Sequence, residues 1–152
     1  MQAESKDFFL KSIDLMRSLD PDQRPIWGEM GPQHMVEHIV GSWRISNGRA
    51  RVQTVLQEDE LADRREFLFS DREYEKNIAN PVLGGKTPTL RKPSLDAAID
   101  QLEDEMNAFF TFHDAHPDVI ETHPVFGDLD YEGWLIFQSK HMKHHLHQFD
   151  LI

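Results

Sequence analysis

Four segments of this 152-residue chain repeat their apolar residues at the spacing of an α-helix, and this periodicity is the feature that most restricts the fold. Apolar residues three or four positions apart give each helix one apolar face, which must be buried against another element. The sequence predicts helices over 5–19, 32–47, 95–114 and 131–149. With almost no strand signal elsewhere, the expected fold class is all-α, a bundle of four helices.

Residues at the ends of these segments support their boundaries. Pro21 ends the first segment, and Pro32 suits the first turn of the second. Gly48 fits a position just after a helix C-terminus, while Ser94 and Asp130 are candidate N-caps for the third and fourth helices.

The connection between helices 2 and 3 is long, from residue 49 to 93, and we interpret it as a crossover. A short helix is expected within it near 59–68, followed by irregular chain around the prolines and glycines of 81–93. Residues 122–127, just before the fourth helix, are predicted to form a loop.

Composition excludes several function classes. The chain has no cysteine, which removes disulfide scaffolds, Cys-ligated metal sites and thiolate nucleophiles. A net charge of −11 opposes binding to nucleic acid. The first residues lack the apolar run of a signal peptide or membrane span, so we expect a cytoplasmic protein without a membrane anchor. The length predicts one domain over 1–152.

Nine histidines are the unusual feature of the composition. On the fourth helix, His141 and His145 are four residues apart and lie on the same face as Trp134 and Phe137. Two imidazoles one turn apart on a buried face are a common way for a helix to offer two ligands to one metal ion. A buried histidine can also be an ordinary core residue, and a histidine-rich helix end can simply complement the helix dipole.

The second helix repeats this spacing with His34 and His38. His38 lies beside apolar residues and is the candidate third ligand, and His34 is a candidate fourth ligand or proton carrier. Residues 34–38 also match the H-x-x-E-H motif, in which the glutamate is a general base, although that motif belongs to much larger chains. Glu37 is therefore a candidate base or a partner of a ligand.

Five sequence blocks carry a resemblance to a known family. They are Trp-Gly-Glu-Met at 27–30, Gln-His-Met-Val-Glu-His at 33–38, Ser-Asn-Gly at 46–48, His-Pro-Val-Phe-Gly at 123–127 and His-Met-Lys-His-His-Leu-His-Gln-Phe at 141–149. Through these blocks residues 25–152 resemble the DinB/YfiT-like superfamily, in particular a bacterial subgroup of it.

The resemblance implies a four-helix bundle, often dimeric, with a zinc or nickel ion held by one histidine of helix 2 and two of helix 4. In this sequence those positions are His38, His141 and His145. Some relatives are hydrolases or transfer low-molecular-weight thiols, so the resemblance also implies a small-molecule substrate, with such a thiol as one candidate.

Two functions follow as hypotheses. The first is a divalent-metal-dependent hydrolase or thiol-dependent transferase, with an open coordination position on the ion and Glu37 or His34 as proton carrier. The alternative is a non-catalytic helical bundle that binds a partner and has a structural metal or none. A homodimer is expected from the resemblance and from Trp27, Phe112 and Phe126, which lie outside the clearest apolar faces.

Overall fold

A computed structural model describes residues 1–76 and 87–152 of the protein. Within them lie five α-helices and one pair of short strands. In chain order these are α1 (Lys6–Arg17), α2 (Pro32–Ser46), α3 (Glu58–Phe69), α4 (Leu95–Ala115), β1 (Glu121–His123), β2 (Gly127–Leu129) and α5 (Tyr131–Gln148). The protein is therefore mostly helical, as predicted.

The expected helix boundaries are confirmed to within about two residues, the usual uncertainty of helix ends. The hydroxyl of Ser94 accepts a hydrogen bond from the Ala97 amide, and the Asp130 carboxylate accepts one from the Gly133 amide. Each cap satisfies a backbone donor that the first helical turn leaves without a partner. Pro32 occupies the first turn of α2, as expected.

The core is built by the four long predicted segments. Helix α2 packs against α4 and α5, and α1 packs against the same two helices. Phe9 of α1, Trp43 of α2 and Phe109 of α4 are fully buried, and both phenyl rings meet the indole edge to face. Aromatic pairs of this geometry add to the hydrophobic stabilisation of their burial.

Helix α3 forms within the crossover at the expected place and packs against α5. Of the irregular chain predicted after it, residues 77–86 lie outside the described part of the structure. No helix in the described residues has both the length and the apolar character needed to cross a membrane.

The loop predicted over 122–127 is confirmed only for residues 124–126, because its two ends belong to strands. Strands β1 and β2 form an antiparallel hairpin, with Glu121 opposite Leu129 and His123 opposite Gly127. Strands of three residues are too short to show an alternation of apolar and polar residues in the sequence. Their backbone hydrogen bonds form only when the two strands pair. Gly127 has a φ of +73°, a conformation that glycine adopts without steric cost.

Phe126 is the last residue of the hairpin turn and is only 3% exposed. Its ring packs against His123 and Phe137 of the same chain. Phe126 is therefore buried without a partner subunit, although it lies outside the predicted apolar helix faces. Phe126 therefore gives no support to the expected homodimer, whereas Trp27 and Phe112 are partly exposed.

Candidate metal centre

Three imidazoles from two helices meet inside the protein. His38 of α2 places its Nε2 atom 3.0 Å from Nε2 of His141, and His145 places its Nε2 atom 3.1 Å from the same nitrogen. One ring nitrogen from each of the three residues lies within 4.8 Å of the others. The structure thus brings together the three residues that the sequence proposed as metal ligands.

Local sequence explains why the rings converge. His141 and His145 are one turn apart on α5, on the face that also buries Trp134 and Phe137. The ring of His141 stacks on Phe137, with the centroids 5.0 Å apart. Because α2 packs against this face of α5, His38 reaches the pair from the opposite side.

Gln148 determines which ring nitrogen of His145 carries the proton. Its amide nitrogen donates a hydrogen bond to the carbonyl oxygen of Trp27 over 3.1 Å, which fixes the orientation of the amide. Its Oε1 atom consequently faces Nδ1 of His145, at 2.8 Å. A carbonyl oxygen only accepts, so Nδ1 bears the hydrogen and Nε2 of the neutral ring presents a lone pair.

Ser42 favours the same tautomer of His141. Its hydroxyl donates to the carbonyl oxygen of Ile39 at 2.7 Å, so the oxygen can accept from Nδ1 of His141 at 3.5 Å. Nε2 of His141 then presents a lone pair towards that of His145. Two lone pairs at 3.1 Å repel each other unless a proton or another cation lies between them.

An additional proton on these rings is disfavoured, because burial lowers the pKa of each histidine. Burial, and to a smaller extent the positive charge of a protonated His144, lower the pKa of His38 to about 4. Burial, and then the charges of the neighbouring histidines, also lower the pKa of His141 and His145 well below that of a free imidazole. At neutral pH the three rings are neutral, which is the form that binds a metal ion.

The geometry fits a divalent ion. Two bonds of about 2.05 Å at a tetrahedral angle separate their ligand nitrogens by about 3.3 Å. The observed separations of 3.0 and 3.1 Å are a few tenths of an ångström shorter, so small side-chain rotations would admit an ion. Three neutral imidazoles suit zinc and nickel, among other transition metals.

The two residues proposed as proton carriers lie elsewhere. The Glu37 carboxylate is buried and turned towards the chain that precedes α4, where it accepts hydrogen bonds from the backbone amides of Arg91 (2.7 Å) and Lys92 (3.4 Å) and from the amide group of Gln33. Burial by itself would raise the pKa of Glu37, but these hydrogen bonds lower it below the usual value. His34 is half-buried and is not part of the imidazole cluster.

The catalytic roles suggested for Glu37 and His34 therefore stay predictions. What Glu37 does in the structure is to hold the end of the crossover against α2, one residue before His38.

Lys140, one residue before His141, holds the part of the crossover that follows α3. Its ammonium group donates to the carbonyl oxygen of Ser70 at 3.0 Å and to that of Arg72. This contact places Tyr74 beside the cluster, with its ring centroid 6.3 Å from that of His141 and 5.5 Å from that of His144. Burial raises the pKa of Tyr74, which is therefore a neutral phenol.

Sequence reasoning missed Tyr74, Lys140 and the hydrogen bond of Gln148. Gln148 shares the helical face of His141 and His145, and that spacing is the one signal that could have identified it.

Two other histidines have structural roles. Nδ1 of His123 accepts hydrogen bonds from the amides of Val125 and Phe126, which fixes the hairpin turn, and burial lowers the pKa of His123 to about 3. His113, in the last turn of α4, is buried and bonded through Nε2 to the Ser46 carbonyl oxygen at 2.8 Å.

A family model described as a protein of unknown function, DUF1569, matches residues 72–151. No curated protein and no solved structure matches the chain. The matched range contains Tyr74, Lys140 and two of the three clustered histidines, and leaves out His38.

Proposed function

The chain belongs to the DUF1569 family, whose function is unknown, and we propose from the site itself that it binds one divalent ion, zinc or nickel, between His38, His141 and His145. The observation that carries this proposal is the convergence of Nε2 lone pairs at 3.1 Å in a buried place. An ion would satisfy all three rings together, whereas buried polar groups without partners cost about 1–3 kcal/mol each.

We also propose that α1, α2, α4 and α5 form a bundle of the DinB type. Two features support this arrangement: α1 and α2 each pack against both α4 and α5, and the candidate ligands are divided as one from α2 and two from α5. In this arrangement α3 belongs to the crossover and contributes no ligand.

An ion at this site would have three protein ligands, the number typical of catalytic rather than structural zinc sites. Such an ion lowers the pKa of a bound water to about 7 or binds a substrate thiolate or carbonyl oxygen. The activity that we propose is therefore a metal-dependent hydrolase or thiol-dependent transferase acting on a small molecule.

Metal analysis of protein purified without an affinity tag tests the binding site. Wild-type protein should hold one equivalent of zinc or nickel after loading and removal of excess ion. His38→Ala and His145→Ala should each lose stoichiometric binding while keeping their helical circular dichroism, because two imidazoles remain and α2 and α5 still bury their apolar faces.

His147→Ala is the matched control, because this exposed residue lies on the same helix and its ring is bonded only to the backbone of Ile152 among the described residues. It should bind metal like the wild type. Wild-type protein that binds no ion, or His145→Ala protein that still binds a full equivalent, would show that the site does not exist.

Catalysis is tested separately, by comparing metal-loaded and metal-stripped protein in assays of ester hydrolysis, amide hydrolysis and thiol transfer. Metal-dependent turnover would support the enzyme. A loaded protein that turns over nothing and whose ion has four protein ligands would instead support the non-catalytic binding protein with a structural metal.

A further inference from the structure

A cavity of about 670 Å³ lies beside the imidazole cluster, between the N-terminal segment, the chain after α3 and the exposed edge of α5. Tyr74 and His144 line this cavity. The same two rings touch the cluster from its outer side, since Tyr74 packs against His141 and the ring centroid of His144 is 5.1 Å from that of His145. One layer of side chains therefore separates the cavity from the candidate metal ligands.

The charge of the cavity differs from that of the whole protein. Its lining has equal numbers of Lys/Arg and Asp/Glu residues, whereas the chain has a net charge of −11. An anion that approaches the protein is repelled least where the local charge is balanced. The lining of the cavity therefore opposes an anionic ligand less than the net charge of the chain suggests.

Three of the Lys and Arg side chains that line the cavity contact aromatic rings or backbone carbonyl oxygens rather than carboxylates. Lys76 lies 4.7 Å above the ring of Trp27, Arg72 lies over the ring of Phe67, and Lys140 is bonded to backbone carbonyl oxygens. Within residues 1–76 and 87–152, none of the three has a carboxylate at ion-pair distance, whereas Lys143 is paired with Glu4. Lys140 is buried and uses its ammonium group in these bonds, so the positive charges available to a ligand are those of Lys76 and Arg72.

The wall also offers apolar surface. Trp27 and Tyr74 present aromatic rings to the cavity, and the neighbouring Ile26 is 62% exposed. Apolar walls with a few charged groups are typical of sites that bind small organic molecules.

We infer that this cavity, next to the imidazole cluster, binds a small organic anion with an apolar body. The anionic group lies near Lys76 and Arg72, and the apolar part lies against Trp27. Tyr74 forms the wall between this ligand and the imidazole cluster.

Hexanoate and its neutral analogue hexanamide test the ligand class. Both are titrated into metal-free protein, and the indole N–H signal of Trp27 is followed by NMR. Trp43 and Trp134 are fully buried and serve as internal references. Hexanoate should shift the Trp27 signal saturably and bind more tightly than hexanamide, because only the acid carries the charge that the cations attract.

Two charge variants identify the cations. Lys76→Gln should weaken hexanoate binding about two- to fivefold, the effect of one exposed charge, and leave hexanamide unchanged. Lys11→Gln is the control, because it removes the same charge from an exposed position on α1, where Lys11 is paired with Asp7. Equal affinity for acid and amide, or no movement of the Trp27 signal, would overturn the inference.

Tyr74 is tested on cobalt-loaded protein by the rate at which a chelator removes the ion. Tyr74→Ala should release the ion several-fold faster than the wild type, and Tyr74→Phe should not, because phenylalanine keeps the wall. Equal rates for all three proteins would show that Tyr74 is not the wall. Failure of metal binding would refute the proposed function but leave the titrations with metal-free protein valid as a test of the cavity.

Discussion

Replacing Gln148 by alanine is the most direct test of how the protein prepares His145 for a metal ion. The Gln148 side chain is 5% exposed, and its Oε1 atom accepts the Nδ1 proton of His145 at 2.8 Å. In Gln148→Ala this acceptor is gone. The metal-free ring can respond by moving its proton to Nε2, but the metal-bound ring must keep the proton on a buried Nδ1 without a partner.

The penalty therefore falls mainly on the metal-bound state. A buried donor without a partner costs about 1–3 kcal/mol. Loss of a hydrogen bond to a ligating histidine typically weakens metal binding about 10- to 100-fold, or about 1.4–2.7 kcal/mol. The two ranges agree, and we expect zinc affinity to fall by a factor within them.

Affinity is measured by competition with a chromophoric zinc chelator, and fold stability is measured separately by urea unfolding. Gln148→Glu is the informative second variant, because a carboxylate still accepts the Nδ1 proton but cannot donate to the Trp27 carbonyl oxygen. It should be less stable than the wild type and yet bind zinc with nearly unchanged affinity.

Gln23→Ala is the matched control, because the amide group of Gln23 donates to the Phe149 carbonyl oxygen near the end of α5 and, among the described residues, has no hydrogen bond to an imidazole. Its zinc affinity should equal that of the wild type. The reasoning fails if Gln148→Ala binds zinc as tightly as the wild type, or if the Ala and Glu variants lose affinity equally.

Three further predictions concern stability and pH. Glu37→Ala should lower the free energy of unfolding by about 1–3 kcal/mol, measured in urea, because the amides of Arg91 and Lys92 lose a buried acceptor. Phe9→Ala should cost about 3–5 kcal/mol in the same assay, because Phe9 is fully buried in the core. The pKa of His123 is lowered to about 3 in the folded state, so the unfolded state binds the extra proton below about pH 6.5. Metal-free protein should lose up to about 1.4 kcal/mol of stability per pH unit through this group as the pH falls from 6.5 towards 3, and His123→Gln should reduce the slope of unfolding free energy against pH by that amount. An unchanged slope in this variant would contradict the assigned role of His123.

Much of the fold follows from patterns only a few residues long. The apolar spacing in α1, α2, α4 and α5 and the caps at Ser94 and Asp130 are local signals, since a helix pairs groups three or four residues apart. The same rule places His141 and His145 on one face of α5 without any tertiary contact. The β1–β2 hairpin was not predicted, because its strands have three residues each, too few to show the alternation typical of a strand.

The candidate site shows where local patterns stop being informative. His34 and His38 share one helical face, and only the packing of α2 on α5 brings the second of them to His141, 103 residues away. Glu37 looked like a catalytic group because it precedes a ligand, but its carboxylate meets the Arg91 amide 54 residues further along the chain. Tyr74 and Lys140 carry no local signal, because a ring or an ammonium group acquires its role from distant backbone that folding brings to it. The helices and the spacing of His141 and His145 depend on neighbours along the chain, and they can therefore be predicted from local sequence. The third ligand, the orientation of the Gln148 amide and the wall formed by Tyr74 depend on contacts between segments that are far apart in sequence, and they exist only in the folded protein.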